Sequence, residues 1–238
     1  MTAPTIVSGY TTAVRTSNGT TLTCNVPTYT AGDTIYYFWA SDGDADSASI
    51  SGTGWTAVYT DVTLSSSGVA DSGSFYGWKR TAGSEPADYT VTSGVSERSV
   101  MIAFAVAHDG GIDATATNNS GTNTTAVVNS LTTTVADCLR ISIIASTGDK
   151  TVTTLSGHTL LATVSGTSAA TISVQHKALP SSGTDASVNA TMGSSYWHTF
   201  SFAIAPTSSS HSVTPNAITT GAPSVANAAL TQNHLFGP

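Results

Sequence analysis

The chain has 238 residues, of which 14 are acidic and seven basic, so its formal net charge is −7. Only 9% of its residues are charged and 39% are hydrophobic, a balance that predicts a folded domain with a hydroxyl-rich surface. Because the basic residues are few and scattered, nucleic-acid binding is not expected. The sequence has neither a signal-peptide pattern at its start nor a membrane-span run, so we expect synthesis in a host cytoplasm and no membrane insertion.

Eight runs of strand length carry alternating apolar residues rich in β-branched and aromatic types. They are 34–40, 55–61, 74–80, 99–107, 139–145, 158–164, 170–176 and 196–205. The segments between them are rich in Gly, Ser, Asn and Asp, which is typical of turns. This pattern predicts an all-β protein, an antiparallel β-sandwich of the jelly-roll type, over residues 1–205.

The composition changes after this domain. Residues 206–238 contain four prolines, no Asp, Glu, Lys or Arg, and few large apolar side chains. Such a segment cannot build a core of its own. We therefore expect an extended C-terminal arm that packs against a neighbouring subunit.

Catalytic carboxylates are not indicated. The chain has two glutamates, Glu85 and Glu97, and both are predicted to lie in turns, in "TAGSEP" and "SGVSERS". Glycoside hydrolysis needs two acidic groups that flank a cleft, and no Asp is singled out by its context. The chain also has no G-x-S-x-G elbow and no phosphate-binding glycine loop. We expect no enzyme activity and name no catalytic residue; a glycan-cleaving enzyme on the same fold stays an alternative.

The best metal candidate is the loop "SDGDADS", in which Asp42, Asp44 and Asp46 alternate as the first ligands of a calcium loop do. The pattern then departs from an EF-hand, because Ser47 and Thr53 stand where Gly and Glu are required. No other cofactor is indicated. A looser calcium site on these three aspartates remains an alternative to a solvated hairpin tip.

A sugar-stacking platform is a second alternative. Trp39, Trp55, Trp78 and Trp197 could supply aromatic rings for it, although each lies in or beside a predicted strand, where core packing is the usual outcome. The sequence assigns no glycan-binding residue beyond these rings.

Four segments resemble, in the same order, a family of jelly-roll domains found in bacteriophage virion proteins and in large bacterial surface proteins. They are "NVPTYTAGDTIYYFWA" (25–40), "GWTAVY" (54–59), "YGWKRTAGSEPADYTVT" (76–92) and "MIAFAVAHDGGIDA" (101–114). The E-P-x-x-Y-T stretch is the most specific of these, and the similarity extends over about residues 10–205. His108 departs from the family's pattern, which has an aromatic-Arg-Gly turn there.

The resemblance implies a structural role, since the family carries no catalytic signature. It agrees with a residue-level interpretation of Arg80, Glu85, Pro86 and Tyr89 as a structural corner, in which the Glu85 carboxylate accepts hydrogen bonds from backbone amides.

We therefore expect a bacteriophage virion protein, either a capsid decoration or a tail or fibre component, that packs against copies of itself and other virion proteins. The alternative is a carbohydrate-binding adhesin module, with or without calcium, that contacts a glycan on the host surface.

Overall fold

The computed structural model describes residues 1–43, 47–64 and 73–208, without the side chains of 61–64. This part of the chain forms β-strands and contains no helix. The strands are β1 (Thr5–Asn25), β2 (Thr34–Ser41), β3 (Ala48–Ile50), β4 (Thr56–Leu64), β5 (Gly73–Thr81), β6 (Asp88–Ala107), β7 (Asp109–Thr115), β8 (Asn119–Gly121), β9 (Thr125–Val128), β10 (Leu131–Thr133), β11 (Cys138–Thr147), β12 (Thr159–Ser165), β13 (Ala170–Leu179), β14 (Gly183–Asp185), β15 (Val188–Thr191) and β16 (Trp197–Pro206).

Two antiparallel six-stranded sheets pack face to face. Sheet I has the order β1-β6-β2-β5-β4, with β3 paired to β6, and sheet II has the order β12-β13-β11-β16-β7, with β8 paired to β16. Two short ribbons, β10 with β14 and β9 with β15, accompany them. The protein is therefore the predicted all-β antiparallel sandwich, and each of the eight predicted runs lies in a strand, to within one residue at its start.

The main core lies between the sheets and follows the period-two alternation of the strands. Tyr36, Phe38 and Ala40 of β2 face Ile141 and Ile143 of β11 across it, all fully buried. The alternate residues of β2, including Tyr37 and Trp39, form a second apolar cluster on the outer face of sheet I. Both faces of β2 are thus covered, which explains its uninterrupted run of apolar residues.

The strand order corrects the predicted jelly roll. In a jelly roll the two Greek keys carry the chain repeatedly between the sheets. Here residues 5–107 supply sheet I and residues 109–206 supply sheet II, so the described chain passes from one sheet to the other once. The sequence predicted the strands, but their pairing depends on contacts that alternation does not specify.

The two sheets are built on the same plan. Each half of the chain has five main strands, and in both halves the first pairs with the fifth, the fifth with the second, the second with the fourth, and the fourth with the third. The details agree too: the β4–β5 pair has a register shift between Ala57 and Tyr59, and the β12–β13 pair has one between Leu160 and Ala162. The sandwich therefore consists of two structural repeats.

Short sequence matches follow the repeat once the registers are known. "GWTAVYT" (54–60) in β4 corresponds to "GHTLLAT" (157–163) in β12, and "FAVA" (104–107) in β6 corresponds to "FAIA" (202–205) in β16. Residues of one repeat can therefore be compared with their counterparts in the other.

The passage between the sheets occurs at one end of the sandwich, here called the crossover end. His108 lies between β6 and β7 with a φ of 59°, a left-handed conformation that is uncommon for a residue with a side chain. The next residue, Asp109, stabilises the turn because its carboxylate accepts hydrogen bonds from the Tyr36 hydroxyl (2.7 Å) and the Gly111 amide (2.7 Å). Thr207 pairs with Thr2 at the same end. Residues 209–238 of the predicted C-terminal arm lie outside the described part of the chain.

Candidate functional site

The residues of the predicted corner lie together. Arg80 donates to the Tyr89 hydroxyl (2.8 Å) and forms an ion pair with Glu85 (3.4 Å), and the Tyr89 hydroxyl donates to the other Glu85 oxygen. The Arg80 guanidinium also lies over the Trp55 ring at 5.4 Å. Pro86 is exposed in the loop that leads into β6. The arrangement ties the end of β5 to the start of β6.

The Glu85 carboxylate is fully buried within this corner. It accepts a hydrogen bond from the Gly83 amide (2.8 Å), while the Glu85 amide donates to the Tyr29 hydroxyl (3.1 Å). Burial and the neighbouring carboxylate raise the pKa of Tyr89 to about 12, which keeps its hydroxyl protonated as a donor. A carboxylate occupied in this way has no open face toward a substrate.

The second glutamate lies elsewhere. Glu97 belongs to β6, so the prediction of a turn at "SGVSERS" is wrong. The strand continues there because β6 pairs with β1 through Gly19, where the register shifts. The side chains of Arg15 and Arg98 flank this segment: Arg15 donates to the Glu97 carbonyl (2.9 Å), and Arg98 bonds Asn18.

The calcium prediction is only partly covered by the structure, because Asp44 and Asp46 lie outside the described residues. Asp42 accepts a hydrogen bond from the Arg98 amide (3.0 Å) and lies 3.3 Å from the Arg98 Nε atom. Burial raises the pKa of Asp42 despite this partner. In the described part of the chain no group of three or more His, Cys, Asp or Glu residues could hold a metal ion.

The tryptophans do not form a platform. Trp39, Trp78 and Trp197 are buried in the clusters on the outer faces of the sheets, with 1%, 7% and 3% of their surface exposed. Trp55 is half-buried beneath Arg80 and packs edge-on against Tyr89. The sugar-stacking alternative on these rings is therefore wrong, because three of the four are enclosed in apolar clusters.

A serine–histidine pair on the outer face of sheet II has the contact expected of a nucleophile and its base. Ser142 Oγ lies 3.2 Å from His158 Nε2, and His158 Nδ1 lies 3.1 Å from the Ser156 carbonyl. The Ser142 side chain is fully buried, and burial lowers the pKa of His158. A substrate carbonyl has no access to this oxygen, so the pair serves packing in this conformation.

A buried ion network lies next to this pair. Arg140, which has no exposed surface, donates to Asp185 (2.6 Å), to Ser201 (2.8 Å) and to the Asn129 carbonyl (2.6 Å). Lys177 bonds the second Asp185 oxygen at 2.5 Å. These hydrogen bonds hold the pKa of Asp185 below its usual value despite its partial burial. The Asp185 carboxylate therefore forms ion pairs with both Arg140 and Lys177.

The structural repeat produces the same groove twice, once at an edge of each sheet and both at the crossover end. Groove I, with a cavity volume of about 150 Å³, is lined by Thr34, Gly54, Thr56, Lys79, Arg80 and Thr81. Groove II is lined by their counterparts Leu139, Gly157, Thr159, His176, Lys177 and Ala178. The start of β1, Pro4–Ile6, forms a further wall of groove II, whose volume is about 570 Å³.

Basic residues are concentrated in these grooves. Lys79, Arg80 and Lys177 are three of the seven Lys and Arg residues of the chain. Arg80 is bound by Glu85 and Lys177 by Asp185. His176, the counterpart of Lys79, is half-buried, and this burial lowers its pKa. Neither groove is predicted from the sequence, because their residues come from separate strands that only the register brings together.

In comparisons with known proteins, no protein family, no curated protein and no solved structure matches the chain. No helix in the described residues is long and apolar enough to cross a membrane.

Proposed function

We propose that the chain is a non-enzymatic structural protein of a bacteriophage virion, which acts by packing against copies of itself and against other virion proteins. The sequence resemblance motivates the virion setting. The low charge of the surface supports the packing, because closely packed identical copies then repel each other little.

One observation carries the packing part of the proposal, and it concerns the outer edge of sheet I. Strand β1 is an edge strand in the described part of the chain, and its stretch Tyr10–Arg15 pairs with β6 without a register shift. Tyr10 and Val14 are 48% and 42% exposed there. On the adjacent edge of sheet II, Leu160 of β12 is 41% exposed.

Natural sheets protect such edges with Lys, Pro or inward-pointing charges. The single charge on this stretch, Arg15, does not protect it, because its guanidinium folds back onto the carbonyls of Gly19 and Glu97. An open edge with apolar side chains on both sheets is therefore suited to contact with another protein.

The test of packing compares two edges of the sandwich. Val14→Lys places a charge on the exposed edge of β1, and Ala57→Lys places the same charge at an exposed position of β4, at the opposite edge of sheet I. Sedimentation at several concentrations should show self-association of the natural chain, its loss in Val14→Lys and its retention in Ala57→Lys. A natural chain that stays monomeric throughout would contradict packing between copies.

The virion setting needs its own test. Mass spectrometry of purified particles should find the chain at many copies per particle, and electron micrographs of particles that lack its coding sequence should show a missing surface layer or a defective tail. Absence of the chain from purified particles would refute the setting without affecting the measured self-association.

A further inference from the structure

Groove II differs from its counterpart in what fills the space beneath the basic residue. In groove I, Trp55 packs under Arg80, with the centre of its ring 5.4 Å from the guanidinium carbon. Its counterpart in sheet II is His158, which bonds Ser142 instead. The cavity of groove II is about 570 Å³ and that of groove I about 150 Å³. Of the two grooves, groove II alone has the volume typical of small-molecule sites.

The walls of groove II offer three kinds of contact. Ile6 and Leu139 supply apolar surface, Thr5 and Thr159 supply hydroxyls, and Lys177 supplies a cation. The Lys177 amine lies near Gly157, because a Cβ atom at that glycine would be 4.0 Å from the Lys177 Nζ atom. The Lys177 side chain is 30% exposed, so Asp185 does not enclose it.

The charge balance favours an anion. Lys177 and the buried Arg140 share the single carboxylate of Asp185. Within the described residues, this network of two cations and one anion therefore carries one net positive charge beside the groove. A negatively charged ligand group at Lys177 would balance it in a charge-assisted hydrogen bond.

We propose that groove II binds one acidic sugar unit of an anionic saccharide. The sugar carboxylate pairs with Lys177, ring hydroxyls bond Thr5 and Thr159, and the apolar face of the ring packs on Ile6 and Leu139. A bare inorganic anion would use the cation and leave the apolar wall uncovered, whereas a neutral sugar would leave the positive charge unbalanced. The site adjoins the proposed packing edge, since Thr159 precedes Leu160 in β12, but the inference does not rest on self-association or on the virion setting.

The experiment is a titration of the full-length chain followed by amide chemical shifts. The probes are a trisaccharide of galacturonic acid, the uncharged galactotriose and sodium sulfate, each at the same concentrations. The acidic trisaccharide should shift the amides of groove II, at Thr159, His176 and Ala178, and leave those of groove I unchanged. Galactotriose should bind at least about tenfold more weakly, because it lacks the charge-assisted bond.

The variant Lys177→Met keeps the apolar part of the side chain and removes the charge. It should weaken binding of the acidic trisaccharide about tenfold or more, whereas Lys150→Met, the same change outside the groove, should leave binding unchanged. Asp185 keeps Arg140 as its partner in Lys177→Met, so the variant should stay folded, which a urea titration checks.

Three results would overturn the proposal. They are equal binding of the acidic and neutral trisaccharides, equal binding by Lys177→Met, and shifts from sulfate that match those from the acidic trisaccharide, which would show that the site recognises charge alone.

Discussion

Acid should destabilise the protein through one buried histidine at the interface between the sheets. His198 of β16 is 6% exposed, and its Nε2 atom lies 2.6 Å from the hydroxyl of Tyr59 in β4. Its Nδ1 atom is buried without a hydrogen-bond partner in the described residues. Burial lowers the pKa of His198 from 6.5 to about 4, because the protonated ring would lose its hydration.

The two pKa values of His198 determine the direction in which the free energy of unfolding changes with pH. Since the folded-state pKa lies below the unfolded one, the unfolded chain takes up the proton first as the pH falls. The stability is full above pH 6.5 and is lost progressively as the pH falls from 6.5 through 4. Each pH unit between the two pKa values corresponds to about 1.4 kcal/mol, so the loss at pH 4 is about 3 kcal/mol.

The structural repeat supplies the matched variant. Val100 occupies the position in β6 that corresponds to His198, since each pairs with the equivalent alanine, Ala40 or Ala145. In the double variant Tyr59→Phe/His198→Val the histidine is gone and no tyrosine hydroxyl is left unpaired. The free energy of unfolding should then fall about 3 kcal/mol less between pH 7 and pH 4 than in the natural chain.

Urea titrations at pH 7, 6, 5 and 4, followed by tryptophan fluorescence, measure this difference. Replacement of an exposed histidine, His108→Gln, is the control and should leave the natural pH dependence unchanged. If the double variant loses stability with acid as steeply as the natural chain, His198 is not the group responsible and the reasoning from its burial fails.

Three further outcomes are expected. Glu85→Gln should lower the free energy of unfolding by about 1 to 3 kcal/mol, because a buried charged acceptor of several hydrogen bonds is lost, and should leave self-association and saccharide binding intact; a stable variant that loses either would contradict the structural role. Asp185→Asn should cost about 3 kcal/mol in urea unfolding, since it leaves the buried Arg140 without its anionic partner. Cys24 and Cys138 are both buried and free, and burial raises the pKa of each thiol, that of Cys138 to about 11; both should react with Ellman's reagent only after unfolding.

Sequence alternation predicted the strands with large apolar side chains and missed those without them. β1 begins "TIVSGYTTAVRTSNG", in which Thr, Ser and Gly hide the alternation, yet it forms a strand because β6 offers it a partner over almost its full length. The short strands β8, β10 and β14 depend on pairing in the same way. Strand formation at such positions is decided by the neighbouring strand and not by local preference.

The corner could be predicted from the sequence, whereas the grooves could not. Arg80, Glu85 and Tyr89 lie within ten positions of one another, so their association could be inferred from local turn chemistry. Groove II joins Ile6 to Lys177 across the two repeats, and no local pattern connects them. The matching heptapeptides "GWTAVYT" and "GHTLLAT" were the available signal of the repeat, but Lys177 is recognised as the counterpart of Arg80 only from the strand registers.

The described chain passes between the sheets once, at His108, so the molecule resembles two domains joined by a short linker. Among the described residues, each of the two sheets takes its strands from a single half of the chain, and the two halves are held together chiefly by the apolar layer between them. Either half alone would expose that layer to water. Two separately produced fragments divided at His108 should therefore associate and form the sandwich. A single fragment should form a homodimer or aggregate.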